Sequence, residues 1–150
     1  MARLDDLLNE PDTPLKRATT INKAQITGWL QEAGKKLDDA RRKENASSTR
    51  VDAAYDAVFF CVLTVLATQK VRVTAQNGHH NAALQAAAVV MNVPEGLQDT
   101  VEVLKDWRNS KYTAAFTASE QDVMDALDIA RRYMELTSGW LQQEHSALLK

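Results

Sequence analysis

The distribution of proline constrains the fold of this chain more than any other feature of its sequence. Only three prolines occur among the 150 residues, Pro11, Pro14 and Pro94, so residues 15–93 and 95–150 contain none. Proline breaks helices, and these two long stretches lack it. They also hold nearly all of the alanines, the residue type with the highest helix propensity. The sequence therefore predicts long helices. It predicts no sheet, because no β-branched run alternates with polar residues over the length of a strand.

The spacing of the apolar residues predicts five helices after a lead-in. In each helix, apolar side chains recur every three or four positions and so fall on one face. The lead-in, residues 1–18, reads as a short helix followed by a proline-containing segment. The helices are expected over 20–44, 49–69, 79–91, 94–111 and from about 120 onward, with an interruption of the last one at Ser138-Gly139. Long helices joined by short loops favour an all-α, up-and-down antiparallel bundle of four main helices plus an extended terminal helix, in one domain over 19–150.

Composition and charge exclude several classes of protein. The chain is 45% hydrophobic and 25% charged, which is typical of a soluble globular domain rather than a disordered one. A net charge of -2 does not favour a strongly basic nucleic-acid binder, although it leaves room for a local basic patch. One cysteine, Cys61, excludes an internal disulfide and is expected to fill the core. The N-terminus lacks an apolar signal segment and the most apolar run, 57–69, is short for a membrane span, so a cytoplasmic protein without membrane contact is expected.

Three charged residues do not fit a plain bundle. Arg108 follows Leu104 by four positions on an apolar stripe and is predicted to point toward the interior, where a guanidinium needs a carboxylate or phosphate partner. Asp52 and Asp56 lie one turn apart on the second long helix and are candidates for that partner. The alternatives are that the stem of Arg108 lies along the helix end and that both aspartates form a solvated edge.

Two adjacent histidines, His79 and His80, follow the turn dipeptide Asn77-Gly78 and open a helix. A helix N-terminus favours an anion such as phosphate, and histidine is the usual general acid or base near neutral pH. The alternatives are a plain helix start with an exposed imidazole and, more weakly, a zinc pair for which no third ligand lies nearby in sequence. No metal and no cofactor are expected. Tyr112, one turn after Arg108, offers a phenol to a phosphate or to Asp56, or only packs.

With these residues in place, the chain resembles the HEPN domain family, whose members are small bundles of four main helices and are usually dimeric. The resemblance covers about residues 20–140 and rests on three short motifs. They are DAAYDAVFF at 52–60 in the second long helix, NGHHNAAL at 77–84 at the start of the third, and DWRNSKY at 106–112 at the end of the fourth.

The resemblance implies a function as well as a fold. In nuclease members an arginine is followed by a polar residue, which Arg108 and Asn109 match, and then by a histidine. Positions 113–115, where that histidine would fall, hold Thr, Ala and Ala, and Tyr112 stands near its place. The resemblance therefore implies binding of RNA or nucleotide phosphate, with weak or absent ribonuclease activity. Arg108 would hold the phosphate, Asn109 would position it, and His79 or His80 would replace the missing base in a metal-independent cleavage.

Partners follow from the same resemblance. It implies a homodimer and a toxin-type role with a nucleotidyltransferase-type antitoxin as partner. The wide apolar surface of the second long helix and the alanine-rich third helix also favour a homodimer. Two other classes remain open. One is a non-catalytic dimerisation or interaction module, and the other is a metal-dependent bundle enzyme that uses His79, His80 and an aspartate.

Overall fold

The computed structural model describes residues 3–110 and 117–150, which form an all-α helical bundle. The predicted helices are confirmed within a few residues at each end, and the interruption predicted at Ser138-Gly139 is wrong, because the last helix runs through both residues. The helices are α1 (Leu4–Leu8), α2 (Lys23–Arg41), α3 (Ser47–Thr68), α4 (His79–Met91), α5 (Glu95–Ser110) and α6 (Glu120–Glu144), with a 3-10 turn at Ser146–Leu149.

The central helix of the bundle is α3, which packs against α2, α4, α5 and α6. Cys61 is 2% exposed, as expected of a core residue, and burial raises its pKa to about 12. By length and composition α3 could cross a membrane, with a mean hydropathy of 1.7, but 67% of its most apolar window is buried inside the fold. Most of its apolar surface is thus covered by the chain's own helices. An exposed apolar surface on this helix therefore no longer supports the predicted homodimer, which stays a prediction.

A small two-stranded sheet corrects the prediction that the chain has none. Strands β1 (Leu15–Arg17) and β2 (Val71–Val73) pair antiparallel, with Leu15 opposite Val73. Strands of three residues are too short to show a period of two in the sequence, and only the fold brings them together. Leu15 and Val71 are buried, and so is Leu7 of α1, so the lead-in packs onto the bundle.

The lead-in also holds the segment that enters α4. The backbone N–H of Thr74 donates to the Pro14 carbonyl at 2.8 Å, and Gln76 Nε2 donates to the Asp12 carbonyl at 2.6 Å. The chain then turns through Gly78, the N-cap of α4, at φ +81°. This left-handed conformation favours glycine, because a side chain there would be strained. The pairing and the turn together fix where α4 begins.

One buried cation escaped the sequence analysis. Arg50, in the first turn of α3, has a side chain only 4% exposed. Its Nε donates to the Ala40 carbonyl at 2.8 Å, and its Nη1 lies 3.6 Å from Glu120 Oε2. Arg50 therefore links the end of α2 and the start of α6 to α3.

Candidate functional site

The start of α4 and the last turns of α5 enclose a cleft of about 370 Å³. His79 and His80 line it from α4, where they are half-buried, and Asn109 lines it from the exposed end of α5. Three residues predicted to act together thus share one cavity. Lys105 and Asp106 complete the α5 wall, and residues 75, 77, 78 and 81 complete the other.

His80 is the centre of an aromatic cluster. Its ring centroid lies 4.1 Å from that of Phe59 and 4.3 Å from that of His79. Its Nδ1 lies 2.7 Å from the hydroxyl oxygen of Tyr55. Tyr55 and Phe59 stand one turn apart on α3, so the central helix supports the two histidines. Tyr55 was not among the site residues predicted from the sequence, and the available signal was two aromatic residues, Tyr55 and Phe59, on either side of Asp56.

The environment of His80 determines its protonation. Burial, followed by the positive charges of His79, Arg108 and Lys105, lowers the pKa of His80 from 6.5 to about 4. Burial also raises the pKa of the Tyr55 phenol, which therefore keeps its proton. We assign the phenol as the donor and His80 Nδ1 as the acceptor, which leaves the ring proton on Nε2. At neutral pH His80 is then an uncharged hydrogen-bond donor.

His79 has the opposite proton arrangement. Its Nδ1 lies 2.9 Å from the backbone carbonyl oxygen of Gln76. A carbonyl oxygen only accepts hydrogen bonds, so Nδ1 carries the proton and Nε2 keeps its lone pair in the neutral ring. Of the two histidines, His79 is therefore the one with a nitrogen available to take a proton.

Arg108 lies beside the cleft, at the edge of the core. Its guanidinium carbon is 5.4 Å from the centroid of the Tyr55 ring, and its Nε is 3.8 Å from Asp56 Oδ1. The predicted pairing of Arg108 with an aspartate of the second long helix is confirmed for Asp56. Both side chains are 32% exposed, so the pair is not fully buried and contributes little to stability. Arg108 adjoins the cleft through Tyr55, whose hydroxyl contacts His80.

Lys105 is a cation of this site that the sequence analysis did not identify. Its side chain is 12% exposed, and its Nζ donates to Asn81 Oδ1 and, at 3.0 Å, to Glu102 Oε2. In the sequence Lys105 comes directly after Leu104, which belongs to the apolar stripe of α5. Nothing in the sequence indicates that α4 covers the Lys105 side chain.

The remaining predicted site residues are Asp52 and Tyr112. Asp52 is half-buried one turn before Asp56, on the same side of α3. Tyr112 lies outside the described residues.

The metal-dependent hypothesis finds no ligand set in the described part of the chain. Over residues 3–110 and 117–150, no three histidine, cysteine or carboxylate side chains group closely enough to hold a metal ion. His79 and His80 instead contact each other, Tyr55 and Gln76.

The lowered pKa of His80 predicts a pH dependence of stability. A histidine with a folded-state pKa near 4 and an ordinary value of 6.5 binds its proton more readily in the unfolded chain. Its contribution is fully present above pH 6.5 and is lost as the pH falls toward 4. We expect this loss to lower the free energy of unfolding by roughly 1–2 kcal/mol, with allowance for partial exposure. Urea unfolding at pH 6.5 and 4.5 measures it.

The control for this prediction is His80→Gln, which keeps an acceptor for the Tyr55 phenol but does not titrate in this range. Other groups also titrate between pH 4 and 6.5. The quantity of interest is therefore the difference between wild type and His80→Gln in the stability lost from pH 6.5 to 4.5. Wild type should lose more stability than the variant. Equal losses would contradict a depressed pKa at His80.

Comparison with known proteins adds no family to this picture. No protein-family model matches the chain, and no curated protein or solved structure matches it either. The resemblance to the HEPN family therefore stays a prediction, based on the three short sequence motifs.

Proposed function

We propose that the cleft between α4 and α5 binds a phosphate group of RNA or of a nucleotide, in a HEPN-like bundle. The observation that carries this proposal is the convergence of His79, His80, Lys105 and Asn109 on one cavity, with Arg108 beside it. Lys105 and a neutral imidazole N–H line this cavity and Arg108 lies beside it, so that two cations outweigh the one carboxylate of the lining, Asp106, although the chain as a whole has a net charge of -2. Charge-assisted contacts of this kind are the strong ones in phosphate recognition.

The direction of α4 supports the same ligand. Its N-terminus borders the cleft, and the positive end of a helix dipole attracts anions. The N-cap is Gly78, and no side chain among the described residues caps this end of α4. The half-buried rings of His79 and His80 also offer a surface on which an unpaired base can stack, as in the recognition of single-stranded RNA.

The proton positions divide the roles in a cleavage reaction. His79 would be the base, since its Nε2 carries a lone pair: it would take the proton of the ribose 2′-hydroxyl as that oxygen bonds to phosphorus. The bond from phosphorus to the 5′ oxygen would break, and protonated His79 or water would supply the proton to that leaving oxygen. His80 would donate its Nε2–H to a non-bridging phosphate oxygen. The pKa of His80 near 4 makes it a poor base at neutral pH. Lys105 and Arg108 would stabilise the negative charge that develops on the phosphate.

The experiment that tests this function measures binding of a fluorescent single-stranded RNA by anisotropy at low salt. We expect inorganic pyrophosphate to compete, because the phosphate is the recognised group. Lys105→Met should weaken binding about three- to fivefold, less than the loss of a full charge-assisted contact, because Lys105 Nζ is already engaged with Glu102 at 3.0 Å. The matched control is Lys35→Met, a change at an exposed lysine of α2. No binding by wild type, or equal losses in both variants, would contradict the proposal.

The homodimer and the nucleotidyltransferase-type partner remain part of the proposal, as does a cytoplasmic location. Light scattering at tens of micromolar tests the dimer, and a monomer mass would count against it. A dimer that binds no RNA would favour the non-catalytic interaction module instead.

A further inference from the structure

A second groove continues the cleft along α4 and α5. It has a volume of about 690 Å³, which lies within the range of about 300–1,000 Å³ found for small-molecule sites. Asn81 and Lys105 line both cavities, so the two meet at these residues. A ligand whose phosphate is held at Lys105 could therefore place its remaining part in the second groove.

The α5 side of this groove offers hydrogen-bond acceptors from Gln98, Asp99 and Glu102. Gln98 Nε2 donates to Glu102 Oε1 at 3.3 Å. Because a carboxylate only accepts, this hydrogen bond identifies the nitrogen and the oxygen of the Gln98 amide. Gln98 Oε1 is buried and has no hydrogen-bond partner among the described residues. A buried acceptor without a donor costs free energy, which a ligand N–H could recover. The carboxylate of Asp99 lines the same groove.

The groove also has an apolar wall. Val89 and Val93, at the end of α4 and just beyond it, are half-buried and line it opposite the polar groups of α5. A flat ring with polar edges fits such a surface, because its face can lie on the valines while its edge meets the acceptors. An apolar wall with a few polar groups is the usual lining of a small-molecule site, and it suits a nucleobase.

We propose that this groove binds the base of the nucleotide whose phosphate occupies the cleft, and that it prefers a base with an exocyclic amino group over one without. The proposal rests on the phosphate-binding function proposed above. An amino group can donate to Gln98 Oε1 after a rotation of the terminal amide, which exchanges the long 3.3 Å hydrogen bond from Nε2 to Glu102 for the contact with the ligand, and it can donate to the carboxylate of Asp99. Uracil presents two carbonyl oxygens to the same acceptors and satisfies fewer of them.

The test compares matched pairs of nucleoside monophosphates by calorimetry. Guanosine and inosine monophosphate differ only in the 2-amino group, and cytidine and uridine monophosphate have rings of the same size. We expect the amino-bearing member of each pair to bind about fivefold tighter. Gln98→Met should bring both ratios toward one, because only Asp99 then accepts from the amino group, while binding of inorganic pyrophosphate is unchanged. Gln142→Met, at an exposed glutamine of α6, should keep the wild-type ratios.

The outcomes separate this proposal from the one on which it rests. Equal affinities within both pairs in wild type would overturn the base preference and leave phosphate binding intact. Discrimination that persists while pyrophosphate fails to compete would overturn the phosphate site alone. Absence of all nucleotide binding would overturn both.

Circular dichroism monitors the fold of Gln98→Met. If that variant unfolds, the contact of Gln98 with the base is tested in wild type instead, by following the side-chain amide resonances of Gln98 in NMR spectra. They should shift with cytidine monophosphate, and unchanged resonances would contradict the proposal.

Discussion

Replacement of Arg108 by methionine is expected to weaken RNA binding about tenfold or more while the bundle stays folded. A charge-assisted contact to phosphate contributes about 1.5–3 kcal/mol, and this variant removes the contact proposed for Arg108. The fold should tolerate the change because the ion pair with Asp56 is 3.8 Å long and one-third exposed. Methionine can still pack on the ring of Tyr55, over which the guanidinium lies. Anisotropy with single-stranded RNA at low salt and a thermal melt measure the two effects.

The matched control is Arg131→Met. Arg131 is also a helical arginine in ion pairs, with Asp128 and Glu135, but it lies on the exposed side of α6. Arg131→Met changes the net charge by the same amount as Arg108→Met. The comparison therefore separates a specific loss of RNA affinity from a general electrostatic one. If both variants lose affinity equally, Arg108 has no special role in binding. If Arg108→Met unfolds, Arg108 is a structural partner of Asp56.

Replacement of Arg50 by methionine should lower the free energy of unfolding by about 2–3 kcal/mol. Arg50 is almost completely buried, and its Nε donates to the carbonyl of Ala40 near the end of α2. The variant leaves that carbonyl without its charged donor, and hydrogen bonds to charged groups contribute about 1.5–3 kcal/mol. It also removes the cation 3.6 Å from Glu120 at the start of α6. Urea denaturation at neutral pH measures the change.

Arg42→Met is the control for that measurement. Arg42 forms an ion pair with Asp39 at 3.7 Å, but its side chain is 66% exposed. Exposed pairs of this kind contribute at most about 1 kcal/mol. Similar losses in the two variants would contradict the role of Arg50 as a link between three helices.

The helices could be predicted from the sequence because their signals are local. Two such signals are long stretches without proline and apolar residues that recur every three or four positions. Both depend only on residues close together along one helix. The sheet could not be predicted, since Leu15–Arg17 and Val71–Val73 carry no pattern of their own and are paired only by the fold. Arg50 was missed for the same reason, because both of its partners lie on other helices.

The candidate site was predicted in part. His79 and His80 stood out by their position after Asn77-Gly78, and Arg108 by a charge on an apolar stripe. Tyr55 did not stand out, because its ring belongs to the apolar face of α3 and only its hydroxyl reaches His80 on α4. The different roles of the two histidines also depend on contacts across the fold, with Tyr55 in one case and the Gln76 carbonyl in the other.

The most direct test of the central proposal maps the bound phosphate onto the chain. Single-stranded RNA is titrated into isotope-labelled protein, and backbone N–H resonances are followed by NMR. Phosphate binding in the cleft predicts shifts concentrated at residues 77–81 at the start of α4 and at 105–109 on α5, with reversal by inorganic pyrophosphate. Shifts confined to the basic stretch at 35–43, which covers the end of α2 and the two residues after it, or no shifts at all, would contradict it.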